Sequence, residues 1–265
     1  MKEELNIIVC VKQVPDPEGP PSAFEVDSES KKVIPKGIPP VMSPFDENAL
    51  EAALCIKDEA ACKVTVLSMG KRLAKPVLRK SLAVGADELI LLEDNCFEGL
   101  DSYWTAITLS SAIKRIGTYD LILTGRQASD WNAAQVGLGI SEILNIPSVT
   151  LARKVELKVN AVFVERVLPN GYEVIKAPIP SLVTVSNELG DLRYAGIKEI
   201  KAVQNKPITT LCASDLKVDL SQTDQIKLLK LYPPVWDREC NFIEGQDAQE
   251  IGAALALKLR EDKVV

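Results

Sequence analysis

Residues 121–139 read LILTGRQASDWNAAQVGLG, an apolar run that breaks into a polar loop and then into a helix-like pattern. Leu121, Ile122 and Leu123 predict the end of a buried strand, Gly125 allows a sharp exit, and a helix with small residues in its first turn is expected from Ala133 onward. Strand, polar loop, helix start is the geometry in which backbone N–H groups and the positive end of a helix face a phosphate. The loop adds Arg126, whose guanidinium can fork onto an anionic oxygen, and hydrogen-bonding groups on Gln127, Ser129, Asn132 and Gln135. Two readings stand at this point: a nucleotide or flavin pyrophosphate on the turn, or an ordinary strand-to-helix loop capped by Ser129 or Asp130.

Upstream, the same rhythm repeats. Leu5–Val11 (LNIIVCV) is a β-branched run of the kind buried on both faces of a sheet. Half of the sixteen prolines then fall between Pro15 and Pro44, which marks an irregular or hairpin-like excursion. Ser43 or Asp46 is the expected cap of an Ala- and Leu-rich helix over Glu47–Ala60. Lys63–Ser68 predicts a strand and Leu73–Val84 a helix closed by Gly85. Glu88–Leu92 predicts a strand, Ser102–Ile116 a helix closed by Gly117, and Tyr119–Thr124 the strand that enters the opening stretch. Strand and helix alternate to about residue 145, which predicts βαβ units with right-handed crossovers and a doubly wound, mostly parallel, Rossmann-like α/β sheet. Ligands of such sheets sit at the carboxyl ends of the strands. Val11–Gln13, Ser68–Gly70 and Thr124–Arg126 all lie there, and this convergence favours the ligand reading of the loop.

From Pro147 the pattern changes to an additional antiparallel part of short strands at Ser148–Ala152, Val155–Val159, Ala161–Val167 and Tyr172–Ile175, with Pro169-Asn170-Gly171 as a turn. Pro180–Val185 is a further buried strand, and Asn187–Gly196 a polar loop of the kind that carries recognition. Gln204–Val235 has little periodicity, Pro233-Pro234 marks a linker, and Asp247–Leu259 is an apolar or amphipathic helix. The expected division is a nucleotide- or flavin-binding domain over 1–205 and a C-terminal arm over 206–265. The arm's final helix either packs on a partner or docks back on its own domain.

Composition removes whole classes of chemistry. The 265-residue chain has no histidine, which excludes Ser–His–Asp and Cys–His catalysis and His-ligated zinc. Its six cysteines (10, 55, 62, 96, 212 and 240) include no CxxC, which disfavours metal clusters and a disulfide framework. Cys55 and Cys62 are expected to share an apolar face. A net charge of −6 without a basic cluster argues against nucleic-acid binding. The run Ile7–Val11 is too short for membrane insertion or a signal peptide core, so a cytoplasmic location is expected. No G-x-G-x-x-G follows a strand, and no P-loop is present. The acidic pairs Asp87/Glu88 and Glu93/Asp94 read as solvated surface, and Trp104 and Trp236 as packing residues. Trp131, inside the candidate loop, either stacks on a ring or anchors the loop. Redox chemistry would need a borrowed organic cofactor.

Taken as a set, these segments resemble the beta (small) subunit of electron transfer flavoproteins. Val11-Lys12-Gln13-Val14-Pro15-Asp16, Ser43-Pro44-Phe45-Asp46, Leu67-Ser68-Met69-Gly70 and Ala83-Val84-Gly85-Ala86-Asp87 are similar to family segments in order. Gly125-Arg126-Gln127-Ala128-Ser129-Asp130 followed by Gln135-Val136-Gly137 matches the family's nucleotide loop without a gap. Val164-Glu165-Arg166, Glu173-Val174-Ile175 and Pro180-Ser181-Leu182-Val183-Thr184 follow its signature, departing at Pro169 and Asn170, and Arg193-Tyr194-Ala195 completes the set. The resemblance spans roughly residues 5–200.

The resemblance implies an electron-carrier subunit, not a stand-alone enzyme, paired with an alpha subunit that carries a shuttling FAD. In respiratory members the beta pocket holds structural AMP. In electron-bifurcating members it holds a second FAD that exchanges hydride with NAD(H). The VKQVPD and GRQAxD…AQVG wording is more similar to the bifurcating type, although Trp131, Asn132 and Ala133 replace the Gly, Asp and Thr common there. By that resemblance the cofactor site is Cys10, Val11, Ser43, Pro44, Phe45, Asp46, Met69, Gly70, Gly125, Arg126, Gln127, Ala128, Ser129, Asp130, Ala133, Ala134, Gln135, Val136 and Gly137. The implied partners are the alpha subunit, a flavin-containing dehydrogenase docking on Leu189, and a low-potential acceptor such as ferredoxin. The reading from another class is a universal-stress-type adenine-nucleotide-binding module, which needs neither a large partner nor the Arg193-Tyr194-Ala195 loop.

Overall fold

Strand β1 (Leu5–Cys10) buries both of its faces: Ile7 and Val9 enter one core, Ile8 and Cys10 another. Period-two alternation requires that division when helices cover both sides of a sheet. In this computed structural model the described residues are 4–158, 160–221, 223, 226–233 and 240–265. Val159, Pro234 and Trp236 lie outside them.

After β1 the proline-rich segment forms two small ribbons, β2 (Gln13–Pro15) with β5 (Pro40–Met42), and β3 (Phe24–Asp27) with β4 (Lys32–Pro35). Then come α1 (Pro44–Glu59), β6 (Cys62–Gly70), α2 (Lys75–Leu78), α3 (Lys80–Val84), β7 (Glu88–Glu93), α4 (Ser102–Ile116), β8 (Leu121–Gly125) and α5 (Val136–Leu144). The second half contributes β9 (Ser148–Lys158), β10 (Ala161–Leu168), β11 (Gly171–Pro178), β12 (Ser181–Val185), α6 (Ile197–Ala202), β13 (Thr209–Leu211), α7 (Ala213–Leu216) and α8 (Ala248–Glu261).

The main sheet has nine strands in the order β11-β10-β9-β12-β8-β1-β6-β7-β13. All neighbours are parallel except the meander β9-β10-β11. The chain winds from β1 outward through β6 and β7, then crosses back to β8 on the other side of β1. The strand order therefore reverses between β1 and β8, where Cys10 is level with Thr124, and a crevice opens at such a reversal. Helix α1 covers the core on one face, and α4 and α5 cover the other.

Several expectations need correcting. The helix expected over Leu73–Val84 is two short helices. The Ser81 hydroxyl donates to the Leu78 carbonyl (2.7 Å), and Leu82 N turns instead to Arg79 O (3.1 Å). Cys55 and Cys62 share no helix face, because α1 ends at Glu59: Cys62 is buried in β6 and Cys55 is exposed. The acidic pairs lie at the surface as expected, and three of the four residues also serve the backbone. Asp87 accepts from Val64 N (2.8 Å), Glu93 from Leu73 N (3.0 Å), and Asp94 from both Cys96 N and Ala213 N (3.2 Å each).

Contacts divide the chain into two units, 1–25 with 33–229 and 26–32 with 230–265. The first unit extends past 205 because Thr209–Leu211 adds a parallel edge strand beside Ile90–Leu92. In the second unit Asp247 caps α8 by accepting from Glu250 N (2.8 Å), and no residue of α8 is buried. Among the described residues no helix is long and apolar enough to cross a membrane, and no cluster of His, Cys, Asp or Glu could hold a metal ion.

Candidate functional site

Three glycines fix the walls of the crevice. A Cβ on Gly125 would lie 2.5 Å from Asp46 Oδ1 and 2.6 Å from the Phe45 carbonyl carbon, so only glycine lets the first turn of α1 press against the end of β8. At Gly137 a Cβ would meet Thr124 Oγ1 at 2.7 Å, and at Gly139 the Ala106 Cβ at 2.8 Å. These two let α5 pack tightly on the sheet and on α4. The expected helix start at Ala133 moves to Val136, because Asn132 and Ala134 adopt left-handed backbone (φ 52° and 55°). A residue pair of opposite hand, here left-handed Ala134 before right-handed Gln135, turns successive amides into one concavity. The first-turn amides of α5 have no intrahelical partners and open in the same stretch. Ala133, Ala134 and Gln135 thus sit in the loop that precedes α5 and not in its helix.

The first turn of α1 ties this loop to the neighbouring strand ends. Ser43 occupies the N-cap position, but neither it nor Asp46 caps the helix with its side chain. Ser43 Oγ accepts instead from Ser129 N (3.4 Å). Asp46, 7 % exposed, accepts from Lys12 N through Oδ2 (2.8 Å) and from Gly125 N through Oδ1 (3.0 Å). One buried carboxylate therefore spans the strand reversal. Burial pushes its carboxyl up to about 7, against the pull of those two amides. Burial also pushes the Cys10 thiol up to about 12, with the Asp46 charge adding to the effect, which leaves an inert thiol.

Lys12 Nζ crosses the crevice to both oxygens of Asp130 (2.8 and 2.6 Å). Arg126 lies with its guanidinium carbon 5.1 Å from the centroid of the Phe45 ring and donates to Asn187 Oδ1 at 3.4 Å. Gln127 Nε2 donates to Asn132 Oδ1 (2.9 Å), bracing the loop, and Ser129 Oγ is buried with no partner among the described residues. An orphaned hydroxyl beside a concave run of amides fits a phosphate oxygen.

Of the sequence candidates, Val11, Ser43, Phe45, Asp46 and 125–137 gather around β1, β8 and the first turn of α1. Pro44 opens that helix. Met69 packs against the core that contains Cys10, and a Cβ on Gly70 would touch Leu73. Trp131 is 63 % exposed on the rim, whereas Trp104 is buried, as a packing residue should be. Leu189 is half-buried against the core, its loop held to α1 by Asn48 Nδ2 donating to Gly190 O (2.6 Å). Arg193 forks onto Glu51 (2.8 Å) and Asp58 (2.8 Å). Lys12 and Asn187 were not among the sequence candidates. Lys12 stands within the quoted VKQVPD segment, and Asn187 opens the polar loop 187–196, whose contact with Arg126 no local pattern announces.

A family model described as the electron transfer flavoprotein domain matches residues 32–216. The chain is 45 % identical over 219 residues to an electron transfer flavoprotein subunit beta from Thermoanaerobacterium thermosaccharolyticum, covering 82 % of each chain. It is 35 % identical to the caffeyl-CoA reductase-Etf complex subunit CarD of Acetobacterium woodii, over 98 % of this chain and 100 % of that one. To the acryloyl-CoA reductase electron transfer subunit gamma of Anaerotignum propionicum it is 36 % identical, covering 93 % and 95 %.

Proposed function

This chain belongs to the electron transfer flavoprotein family, as a beta-type subunit, and on that premise we propose that its crevice binds FAD. In this proposal it passes electrons between NAD(H), a flavin-containing dehydrogenase and a low-potential acceptor such as ferredoxin, in the manner of flavin-based electron bifurcation. The observation that carries the reading is the backbone of opposite hand at Ala134 and Gln135, backed by the first turn of α5 and the orphaned Ser129 hydroxyl. The residues present fit a diphosphate there. When bound, the isoalloxazine supplies the hydride and one-electron chemistry that amino-acid side chains do not.

The chain's own residues bind and orient. Amides around Asp130–Val136 hold the diphosphate, and Ser43, Phe45 and Asp46 form the adjoining wall. Arg126, its guanidinium carbon 5.1 Å from the Phe45 ring centroid, would set a fixed positive charge beside a flavin ring held against that wall and so favour negative charge on it. The exposed apolar side chains of α8, Leu255 and Leu257 among them, support packing of the C-terminal arm on an alpha subunit. Leu189 is the proposed anchor for the dehydrogenase. The relatives are named as subunits of reductase complexes, and a cytoplasmic complex accords with this reading.

The wording VKQVPD and GRQAxD…AQVG favours FAD over AMP. Acid release of the bound nucleotide from the co-purified heterodimer, followed by its identification, tests this. FAD in addition to the alpha-subunit flavin supports the proposal, AMP reduces the chain to a structural half, and the absence of both refutes the site.

A further inference from the structure

Asp46 is a buried carboxylate without a counter-ion. Its two oxygens accept from the amides of Lys12 and Gly125, and no ion pair reaches it among the described residues. The charged groups around it are engaged elsewhere. The Lys12 ammonium is turned to Asp130, Arg126 lies over Phe45, and Glu47 on the same helix pairs with Lys80 at 2.8 Å. The Cys10 thiol faces it from β1 and is neutral. The Asp130 carboxylate, on the loop that would carry an anion, already opposes ionisation of Asp46, and the Lys12 charge favours it.

We propose that Asp46 is a proton-uptake site coupled to anion binding in the crevice. An anion seated on the amides of 133–137 adds negative charge beside a carboxylate whose direct hydrogen bonds, among the described residues, come from two N–H groups. Asp46 then takes up a proton from solvent onto a carboxylate oxygen, which offsets part of the added negative charge. The inference rests on reading the loop as a nucleotide diphosphate site, and it adds to that reading a pH dependence that phosphate contacts alone would not give.

With burial holding the carboxyl at about 7, neutral pH lies where uptake is measurable. Unit charges roughly 10 Å apart at an effective dielectric near 20 shift a pKa by about one unit. Near pH 7.5 the expected uptake is therefore about half a proton per anion bound, and affinity falls up to about tenfold as pH rises through this range.

The experiment is isothermal titration of FAD and of AMP into the nucleotide-stripped heterodimer at pH 7.5, in two buffers of different ionisation enthalpy. The expected result is net proton uptake for the parent protein and its loss in Asp46→Asn. Binding without uptake, or uptake that persists in Asp46→Asn, overturns the inference while leaving the site reading intact. Failure of both nucleotides to bind refutes the site reading itself. Should Asp46→Asn fail to fold, infrared difference spectra of the parent protein on FAD binding decide the matter. The carbonyl band of a protonated carboxylic acid must then appear, and its absence overturns the proposal.

Discussion

Replacing Gly125 by alanine tests the geometry on which the site depends. The new methyl carbon would lie 2.5 Å from Asp46 Oδ1, 2.6 Å from the Phe45 carbonyl carbon and 2.8 Å from Phe45 Cβ. Two of those three atoms belong to α1 close to its axis and cannot swing away as a flexible side-chain end would. Overpacking of this kind costs about 1–3 kcal/mol. The forced separation also stretches the 3.0 Å bond from Gly125 N to the carboxylate, and a hydrogen bond to a charged group is worth roughly 1.5–3 kcal/mol. Alanine recovers about 0.4–1 kcal/mol by restricting the unfolded chain. The net loss expected is about 2–4 kcal/mol, or a drop in Tm of roughly 5–12 °C for a domain of this size. Urea titration should show a lower midpoint at unchanged m-value, and the purified variant should carry less nucleotide. Stability within about 0.5 kcal/mol of the parent protein, with full nucleotide content, would refute the close approach of α1 to β8.

Three further outcomes are expected. Because burial raises the Asp46 carboxyl to about 7 from an ordinary 3.8, the folded state binds the extra proton between those values. Its contribution is then fully present below pH 4 and lost as pH rises through 7, by roughly 4 kcal/mol. Denaturation at a series of pH values should show that slope flattened in Asp46→Asn, and parallel slopes would contradict it. Thiol titration of the native protein should label exposed Cys55, Cys96 and Cys240 quickly and spare Cys10 and Cys62 until unfolding, so early labelling of Cys10 by mass spectrometry would count against its burial. Leu189→Ala should lower electron transfer with the dehydrogenase by about tenfold or more, as loss of an interface anchor does, at unchanged flavin content. Arg193→Ala should do the same by freeing the loop, and unchanged coupling in both variants would remove the docking assignment.

The alternating core of the sheet was legible because each parallel strand is a short β-branched run. Leu5–Cys10, Cys62–Gly70 and Leu121–Gly125 need no distant information to be recognised. Helix α4 was equally plain, with Asp101 capping it and Gly117 ending it. What escaped is non-local. That Asp46 would serve amides 34 and 79 positions away, and not its own helix, follows only once β1 and β8 lie side by side. The split between α2 and α3 turns on one hydroxyl, Ser81, whose choice of the Leu78 carbonyl competes with an ordinary helical bond. The late start of α5 depends on left-handed Asn132 and Ala134, and alanine gives no sign of such backbone. The three-residue strand Thr209–Leu211 lies in a segment without periodicity and exists because β7 offers an open edge.

The same non-local contacts make α1 the element on which the two proposed functions meet. Its first turn grips both sides of the strand reversal through Asp46 and supports the loop through Ser43. Farther along, Asn48 holds Gly190, while Glu51 and Asp58 hold Arg193, fixing the segment that carries Leu189. Asn48, Ala49 and Leu50 are buried, as are Ala52, Ala53 and Leu54, so the helix between these grips is seated in the core and moves as one body. A cofactor loop and a docking loop fastened to one rigid helix keep a fixed separation.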